Sequence, residues 1–414
     1  MMLPDIAMGQ EGCRAVFDSL LAKTHVGHAL VQPDGSRNTI PTMLATVVLL
    51  GGTSDQLHAV YELKKAGLRS WQPSPRNIAN EEDKICFLGD ERFLRAYMTY
   101  FSMENGKLGG NSTALAVSQL VDGSKPLIYG LFAGIGQPLI FLSDAMELQA
   151  AVLVVESLVL CAVDWKESIY ELLTDPLLAG EHTEPLSPEE LLTRVAYDGR
   201  LSGLMKVGPG FHWVSHILSN PLAREAVIEY VHRLNCRDLR LVLNQLASLS
   251  AMLACATHKP SEPAFDFYLS YLPTYIACLR VLLGSPGFHD SQHTLALVRG
   301  VWLLFIFTYI TQLRPILDAA LLTSVELPGT GNSEARWEAI LAEFRSQPSA
   351  LEGKYSDLQF LRTLRSLRVL GEAAESGGDK GGHLYMRAAW KLVCQWRRWT
   401  GLGDCGEQTL NIRL

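Results

Sequence analysis

Residues 130–148 read GLFAGIGQPLIFLSDAMEL. The glycines at 130, 134 and 136 form the pattern G-x-x-x-G-x-G, whereas a dinucleotide-binding loop has G-x-G-x-x-G directly after a strand. Pro138 follows them, and the flanking segments have helical patterns, so close packing between helices explains these glycines better than a phosphate contact. The stretch therefore predicts a helical environment and argues against a tightly bound flavin or nicotinamide of the Rossmann type.

Helical signals continue on both sides of this stretch. Asn38–Leu50 is an apolar run of helix length stopped by two glycines, and Ser54–Ala66 has apolar residues at helical spacing before another glycine. At residues 187–190, Ser-Pro-Glu-Glu supplies a cap, a proline for the first turn and acids for the positive end of the helix dipole. Further helices are predicted over Leu222–Leu234, Arg237–Ala256, Phe265–Leu283, Thr294–Leu313, Ser333–Ser346, Asp357–Ala373 and Leu384–Trp399.

No segment shows sustained alternation of apolar and polar residues, and no hairpin turn separates two apolar runs. The predicted fold class is therefore all-α. The loops near 180–188, 328–333 and 376–382 are too short for domain linkers, so we predict one large helical domain over residues 1–414 with a pocket between helices. Whether this domain has two lobes stays open.

Composition narrows the class of partner. Hydrophobic residues make up 48% of the 414-residue chain and charged residues 19%, which predicts a sizeable core. The formal net charge is −7, and Lys and Arg are scattered rather than clustered, which argues against a nucleic-acid partner. A small-molecule partner fits this balance, and the oligomeric state is left undetermined.

Cysteine usage and the apolar runs bear on location. None of the eight cysteines forms a C-x-x-C pair, and several lie in apolar runs, which is typical of a reduced protein. The N-terminal segment has no basic region followed by a long apolar run, so it is not a secretory signal. The apolar run Gly300–Thr311 is shorter than the ~20 residues that cross a bilayer, which favours a buried core helix. We therefore expect a cytoplasmic protein without a transmembrane segment.

The 130–148 stretch also resembles the core motif of the questin oxidase-like family of fungal secondary-metabolite enzymes, which reads roughly GLFHPLIHLGYAYE. Gln137 and Phe141 stand at the two histidine positions of that motif. The motif positions that this chain keeps are Pro138, Leu139, Ile140, Leu142 and Glu147.

Three further segments resemble family motifs in the same order along the chain. Residues 38–62 are similar to N…PHHLLALYALGAS…L…YE, with Thr42 and Met43 at the paired histidines. Residues 266–271, DFYLSY, resemble DFFLMH, with Tyr271 at the histidine. Residues 359–367 resemble H-x-x-K-x-x-R-A-L, with Gln359 for the histidine and Arg362 for the lysine. The resemblance thus covers most of the chain.

In metal-dependent relatives, the histidines and a carboxylated lysine imply a non-haem iron centre that oxidatively cleaves anthraquinone-type rings, including Baeyer–Villiger-type ring opening. None of the seven ligand positions in this chain carries histidine or lysine, and an arginine stays cationic. The resemblance therefore implies a metal-free pocket that binds an aromatic substrate. The pocket residues that it implies are Thr42, Met43, Gln137, Phe141, Tyr271, Gln359 and Arg362. The alternative is that they are ordinary polar and apolar residues of a helical protein that has lost activity.

Histidines and acids elsewhere in the chain offer candidates for a general base. His212 and His216 flank Trp213 at a spacing that places both imidazoles on one helix face, but the glutamate of a zincin motif is absent. The pair is therefore a candidate base, with Trp213 as a ring-binding group, although exposed helix histidines are the commoner explanation. Asp144 lies three residues before Glu147, so the two carboxyls would be neighbours on a helix. Their repulsion would raise the pKa of one of them and make it a base. The alternative is that Glu147 forms a salt bridge to a neighbouring helix.

One more acid stands out because it is alone in an apolar stretch. Glu156 lies within AVLVVESLVLCAV, residues 151–163, and we expect it to be buried with a structural partner such as an arginine.

These observations lead to the hypothesis of a cofactor-independent oxygenase for an anthraquinone- or hydroquinone-type polyketide, with dioxygen as co-substrate. His212, His216 or Asp144 would deprotonate the phenol, and Arg362 would stabilise the resulting anion and the peroxide that follows. NADPH, if required, would reduce the quinone through a separate enzyme. Two alternatives stay open: a non-oxidative isomerase, dehydratase or cyclase on the same scaffold, and a catalytically inactive ligand-binding protein.

Overall fold

The computed structural model of this chain describes residues 8–176, 184–205, 208–259, 261–288, 290–347, 351–376 and 382–402. Helices account for nearly all of the regular structure in these ranges, which confirms the all-α prediction. The chain divides into two compact units, and the single domain predicted over residues 1–414 stays a prediction. Unit 1 comprises Met1–Tyr170, Cys278–Leu297 and Phe344–Leu358; unit 2 comprises Glu171–Ala277, Val298–Glu343 and Gln359–Leu414.

The helices follow one another along the chain with short connections. The first nine are α1 Met8–Gly27, α2 Ile40–Leu49, α3 Ser54–Lys65, α4 Glu81–Cys86, α5 Leu94–Lys107, α6 Ser112–Val121, α7 Gln137–Leu148, α8 Ala151–Val163 and α9 Glu167–Leu173. The next ten are α10 Pro188–Tyr197, α11 Val214–Ser219, α12 Pro221–His232, α13 Leu239–Cys255, α14 Tyr271–Gly284, α15 Ser291–Thr311, α16 Ala320–Thr323, α17 Ser333–Arg345, α18 Leu358–Ser376 and α19 Gly382–Gln395. Two short strands, β1 Phe265–Asp266 and β2 Trp399–Thr400, pair in parallel.

Several helix ends lie where the sequence signals placed them. Thr53 and Gln56 form a reciprocal capping box at the start of α3, and Ser187 and Glu190 form another at the start of α10. The α2 helix ends one residue before Leu50, directly ahead of the predicted glycine stop. Local capping chemistry therefore decided these boundaries, as the sequence predicted.

Helix α8 forms the centre of the unit 1 core. All of its residues from Leu153 to Val163 are buried, and it packs against α5, α6 and α7. The hydroxyl of Ser157 donates to the carbonyl of Pro138 at 2.8 Å, which joins α8 to the start of α7. A helix that is apolar on all sides is expected to be surrounded by other helices, as α8 is here.

The glycines of the 130–148 stretch allow the chain to approach α8 closely. A Cβ atom added at Gly130 would lie 2.5 Å from the carbonyl oxygen of Cys161, in α8. Gly134 and Gly136 have left-handed backbone with φ of 52° and 64°, and a Cβ at Gly134 would lie 2.6 Å from Oδ2 of Asp164. Close packing therefore explains these glycines, as expected, and the segment that leads into them, Leu127–Phe132, is 3₁₀ helix rather than strand.

Two predicted helices were wrong at one end. The helix expected over Phe265–Leu283 begins only at Tyr271, because the Asp266 carboxylate accepts from the backbone N–H groups of Tyr268 and Leu269 and folds the preceding residues into a turn after β1. The helix expected over Leu384–Trp399 ends at Gln395, after which the chain forms β2.

The long apolar helix α15 corrects the length argument made from the sequence. The predicted run was Gly300–Thr311, but the helix extends back to Ser291 and is the one described helix long and apolar enough to cross a membrane. Within its apolar window of mean hydropathy 1.7, 78% is buried inside the protein. This burial agrees with the predicted core helix. The length of the helix does not, because a helix of this length could also cross a bilayer.

Two of the predicted loops lie partly outside the described residues. Residues 180–183 and 377–381 belong to the undescribed ranges, whereas residues 328–332 form the predicted break before α17. The seven cysteines within the described ranges are all free thiols, and Cys405 lies outside those ranges.

Candidate functional site

In unit 2, helix α18 presents a buried polar face built from the fourth motif. The amide nitrogen of Gln359 donates to the hydroxyl of Ser270 at 2.8 Å, and the hydroxyl of Thr363 donates to the carbonyl of Ser270 at 3.2 Å. One turn further on, the Ser366 hydroxyl donates to that of Thr274 at 3.1 Å. These bonds hold α18 against the start of α14, so the third and fourth motifs lie side by side.

Arg362 occupies the middle of this face. Its side chain is among the largest fully buried ones in the chain, with 1% exposed. Within the described residues, neither Nε nor Nη2 of Arg362 has a hydrogen-bond partner. The amide oxygen of Gln359, three residues earlier and hence on the same side of the helix, is also buried without a partner in that part of the chain. Such groups are costly to bury unless a ligand or a bound water satisfies them.

Tyr271 lies next to this face in an aromatic cluster. Its side chain is 5% exposed and its ring contacts those of Phe267 and Tyr275, with centroids 5.5 and 5.9 Å away. The preceding turn carries Tyr268, whose ring stacks on Phe211 at 5.8 Å. The aromatic rings therefore surround the start of α14, close to the polar face of α18.

The predicted histidine pair lies on the segment that follows Phe211. His212 belongs to a short 3₁₀ segment and His216 to α11, and both are exposed. Their rings flank Trp213, with centroid distances of 4.9 and 5.8 Å, and the Trp213 indole donates to the carbonyl of Gly208. The structure thus brings the three predicted residues together, but at an exposed position. The role of either histidine as a base stays a prediction.

The first two motifs meet in unit 1, where α2 packs against α7. Met43 and Phe141 are fully buried, whereas Gln137, the first residue of α7, is half-buried. Thr42 is buried, and its hydroxyl donates to the carbonyl of Thr39, the residue directly before α2, at 3.3 Å. This local bond satisfies the Thr42 hydroxyl without a ligand, which agrees with the alternative that Thr42 is an ordinary residue of a helical protein.

The two acids of α7 differ in exposure. Asp144 is 1% exposed, and Glu147, one turn later, is half-buried. Asp144 is thus protected from solvent as a candidate base would be, and its catalytic role stays a prediction. That the four motifs line a single pocket also stays a prediction.

The sequence profile of the questin oxidase-like family matches residues 36–367, which include all four motifs. The chain belongs to the questin oxidase-like family. No curated protein matches the chain closely enough to refine this assignment. Membership of the questin oxidase-like family indicates an enzyme of the oxidase or oxygenase type that acts on aromatic polyketides.

The residues at the ligand positions of the questin oxidase-like motifs do not fit an iron centre. Arg362 places a buried guanidinium where a carboxylated lysine would supply an oxygen ligand, and a cation repels a metal ion. Across the described ranges, no group of three or more His, Cys, Asp and Glu side chains converges as a metal site would require. The donor set of this family member therefore suits an anion rather than a metal ion.

A pair that the sequence did not indicate lies in unit 1. Nδ1 of His25 is 3.0 Å from Oε1 of Glu156, whose side chain is fully buried, while the imidazole is 22% exposed. The partner predicted for Glu156 was an arginine, and the structure corrects this to a histidine. The two residues are 131 positions apart, so no local spacing signalled the pair, although the isolated acid in an apolar run did signal the burial.

Replacing Glu156 with Gln should stabilise unit 1 increasingly as the pH rises. Burial raises the pKa of Glu156, and His25 opposes this only in part. Because the folded pKa lies above the unfolded one, the stability that the protonated carboxyl contributes is present at low pH and is lost as the pH rises through the folded pKa. Gln cannot ionise, so its advantage in thermal unfolding should grow to about 1 kcal/mol or more as the pH rises through the folded pKa of Glu156.

Thermal unfolding of the wild type and the variant across a pH series measures this difference. Glu62→Gln, at an exposed position of α3, is the matched control and should show no such dependence on pH. A constant difference between Glu156→Gln and the wild type at all pH values would contradict the interpretation.

Proposed function

We propose that this family member is a metal-free, cofactor-independent oxygenase of fungal secondary metabolism that acts on the reduced form of an anthraquinone-type polyketide. The substrate itself supplies the two electrons that dioxygen needs. One oxygen atom enters the ring system in a Baeyer–Villiger-like insertion and the other leaves as water, so that hydroquinone plus dioxygen gives the oxygenated ring product plus water.

The observation that carries this proposal is the buried, unsatisfied guanidinium of Arg362. Its Nε and Nη2 lack acceptors among the described residues and the residue is 1% exposed, so an anion at this position would satisfy both nitrogens. A phenolate or hydroquinone anion is such a partner, and a cation beside it stabilises the electron-rich form that reacts with dioxygen. The same guanidinium would stabilise the peroxide anion formed next.

Other residues would orient the ring and move its proton. The amide oxygen of Gln359, which has no partner among the described residues, is suited to accept from a phenolic hydroxyl, and Tyr271 lies in the aromatic cluster beside it. Gln137 and Thr42 would contact substrate oxygens, and Met43, Phe141 and Trp213 would pack on its rings. His212, His216 or Asp144 would take the phenolic proton. The roles of the unit 1 motif residues rest on the family motifs alone, and the roles of Trp213 and of the three candidate bases rest on their spacing in the sequence.

The proposal requires no tightly bound cofactor. NADPH would serve, where needed, only to reduce the quinone before it binds, through a separate enzyme. We place the reaction in the cytoplasm, where such reductants and free cysteine thiols are both expected.

Labelled dioxygen tests the proposal directly. The metal-stripped protein, with chelator present, is given a chemically reduced hydroxyanthraquinone under labelled dioxygen. We expect one labelled atom in the ring product and one in water. Activity that appears only after iron is added would overturn the metal-free reaction.

The rival functions give different results in the same experiment. An unlabelled isomer or dehydration product would indicate a non-oxidative enzyme. Binding of the hydroxyanthraquinone without any product would indicate a ligand-binding protein. Either result would contradict the oxygenase proposal.

A further inference from the structure

A cavity of about 340 Å³ lies in unit 2, apart from the candidate site. It is formed by α16 with the residues after it, by α19, and by the segment between α13 and β1 that carries His258; none of its lining residues belongs to the family motifs. The lining residues that matter chemically are His258, Glu326, Trp390, Lys391 and Gln395. The volume is at the lower end of the range for small-molecule sites.

Lys391 is a buried cation in the wall of this cavity. It is 3% exposed, and its ammonium donates to the carbonyl of Leu321 at 3.0 Å. No carboxylate in the described ranges lies within salt-bridge distance of it. Burial lowers the pKa of Lys391, although Cys255 and Asp318 oppose the shift. An ammonium has three N–H donors, so Lys391 keeps donors for a ligand.

His258 presents an acceptor to the same cavity. Its side chain is 2% exposed, and Nδ1 lies 2.7 Å from the carbonyl oxygen of Lys259, which requires the proton to be on Nδ1. Burial lowers the pKa of His258, which favours the neutral ring, so Nε2 carries a lone pair. Within the described residues, Nε2 of His258 has no partner, and neither does the buried amide oxygen of Gln395. Two acceptors in this wall therefore lack donors.

The ligand that fits must combine an acceptor with donors. Its anionic or carbonyl group would accept from Lys391, and hydroxyl groups would donate to His258 and Gln395. The half-buried indole of Trp390 offers an apolar face for a ring. The carboxylate of Glu326 in the lining disfavours a multiply charged ligand such as a phosphate.

We propose that this cavity binds a small hydroxylated aromatic carboxylate, with its carboxylate on Lys391 and a ring hydroxyl donating to His258. Binding to this cavity is measured without turnover, so the result does not depend on whether the proposed oxygenase reaction occurs.

The test uses hydroxybenzoates as probes on the full-length chain. Isothermal titration should show that 3-hydroxybenzoate or 4-hydroxybenzoate binds about tenfold or more tightly than benzoate or phenol, because each probe lacking one group leaves a buried partner unsatisfied. Absence of binding by both hydroxybenzoates would overturn the proposal.

Substitutions at the two polar residues separate their contributions. Lys391→Met should weaken binding of the hydroxybenzoate about tenfold or more, while His258→Phe should abolish its advantage over benzoate. The neighbouring, exposed Lys259→Met is the matched control and should bind like the wild type. Equal affinity in Lys391→Met and the wild type would contradict the site.

Folding of each variant is checked by thermal unfolding. Lys391→Met removes a buried charge but also the donor to the carbonyl of Leu321, so its thermal unfolding should shift only modestly from that of the wild type. Lys391→Gln provides a second variant that keeps a polar group, and it should also lose the carboxylate interaction.

Discussion

Replacing Arg362 with Met is expected to lower turnover of a reduced hydroxyanthraquinone by about 10²–10³-fold or more, the effect typical of removing one group that stabilises a developing anion. Arg362 is 1% exposed, and two of its nitrogens, Nε and Nη2, lack partners among the described residues. Met fills similar space without a buried charge, so the variant should be as stable as the wild type or more so. Loss of activity would then report lost chemistry rather than lost structure.

Two further variants sharpen this prediction. Arg362→Lys keeps the charge but not the planar, multiply donating guanidinium, so it should recover only part of the activity. Arg368→Met removes an arginine from the same helix, where it pairs with Glu372 at 2.7 Å near the surface, and should leave turnover unchanged. The measurements are turnover and anaerobic binding of the hydroquinone. Full activity in well-folded Arg362→Met or Arg362→Ala would contradict the assigned role.

Much of the fold could be predicted because its determinants are local. The capping boxes at Thr53 and Ser187 and the glycines after α2 are read within a few residues, and the structure keeps those boundaries. At one of the two helix ends that were predicted wrongly, the deciding contact was a side chain competing with the helix. Asp266 captures two backbone N–H groups ahead of α14, which periodicity alone does not reveal.

The candidate site was predictable only in part, because contacts between distant segments leave no local signal in the sequence. Motif order identified Gln359, Arg362 and Tyr271, and the structure does place α18 against the start of α14. Spacing does not reveal burial. The histidines at 212 and 216 have the spacing of a functional pair, yet both are exposed. The His25–Glu156 contact joins distant positions, and a single sequence contains no signal for it.

Replacing Gly130 with Ala is expected to cost about 2–3 kcal/mol of unfolding free energy, near the upper end for overpacking a core. The added Cβ would lie 2.5 Å from the carbonyl oxygen of Cys161 and 3.0 Å from its carbonyl carbon. Those atoms belong to the backbone of α8, which is buried on all sides between α5, α6 and α7, so they cannot move aside as a flexible side chain would. Denaturant unfolding with a shift of the midpoint measures the cost.

A second glycine in the same unit provides a control of opposite sign. Gly106 lies in helix α5, it is exposed, and a Cβ there meets no atom within 4 Å. Gly106→Ala should therefore stabilise the protein by about 0.5–1 kcal/mol, because Ala restricts the unfolded chain and favours the helix. If both variants shifted the midpoint in the same direction, the close approach at Gly130 would not be what requires glycine there. Opposite shifts would assign the requirement to the contact between the 130–148 stretch and α8, the contact that positions the start of α7.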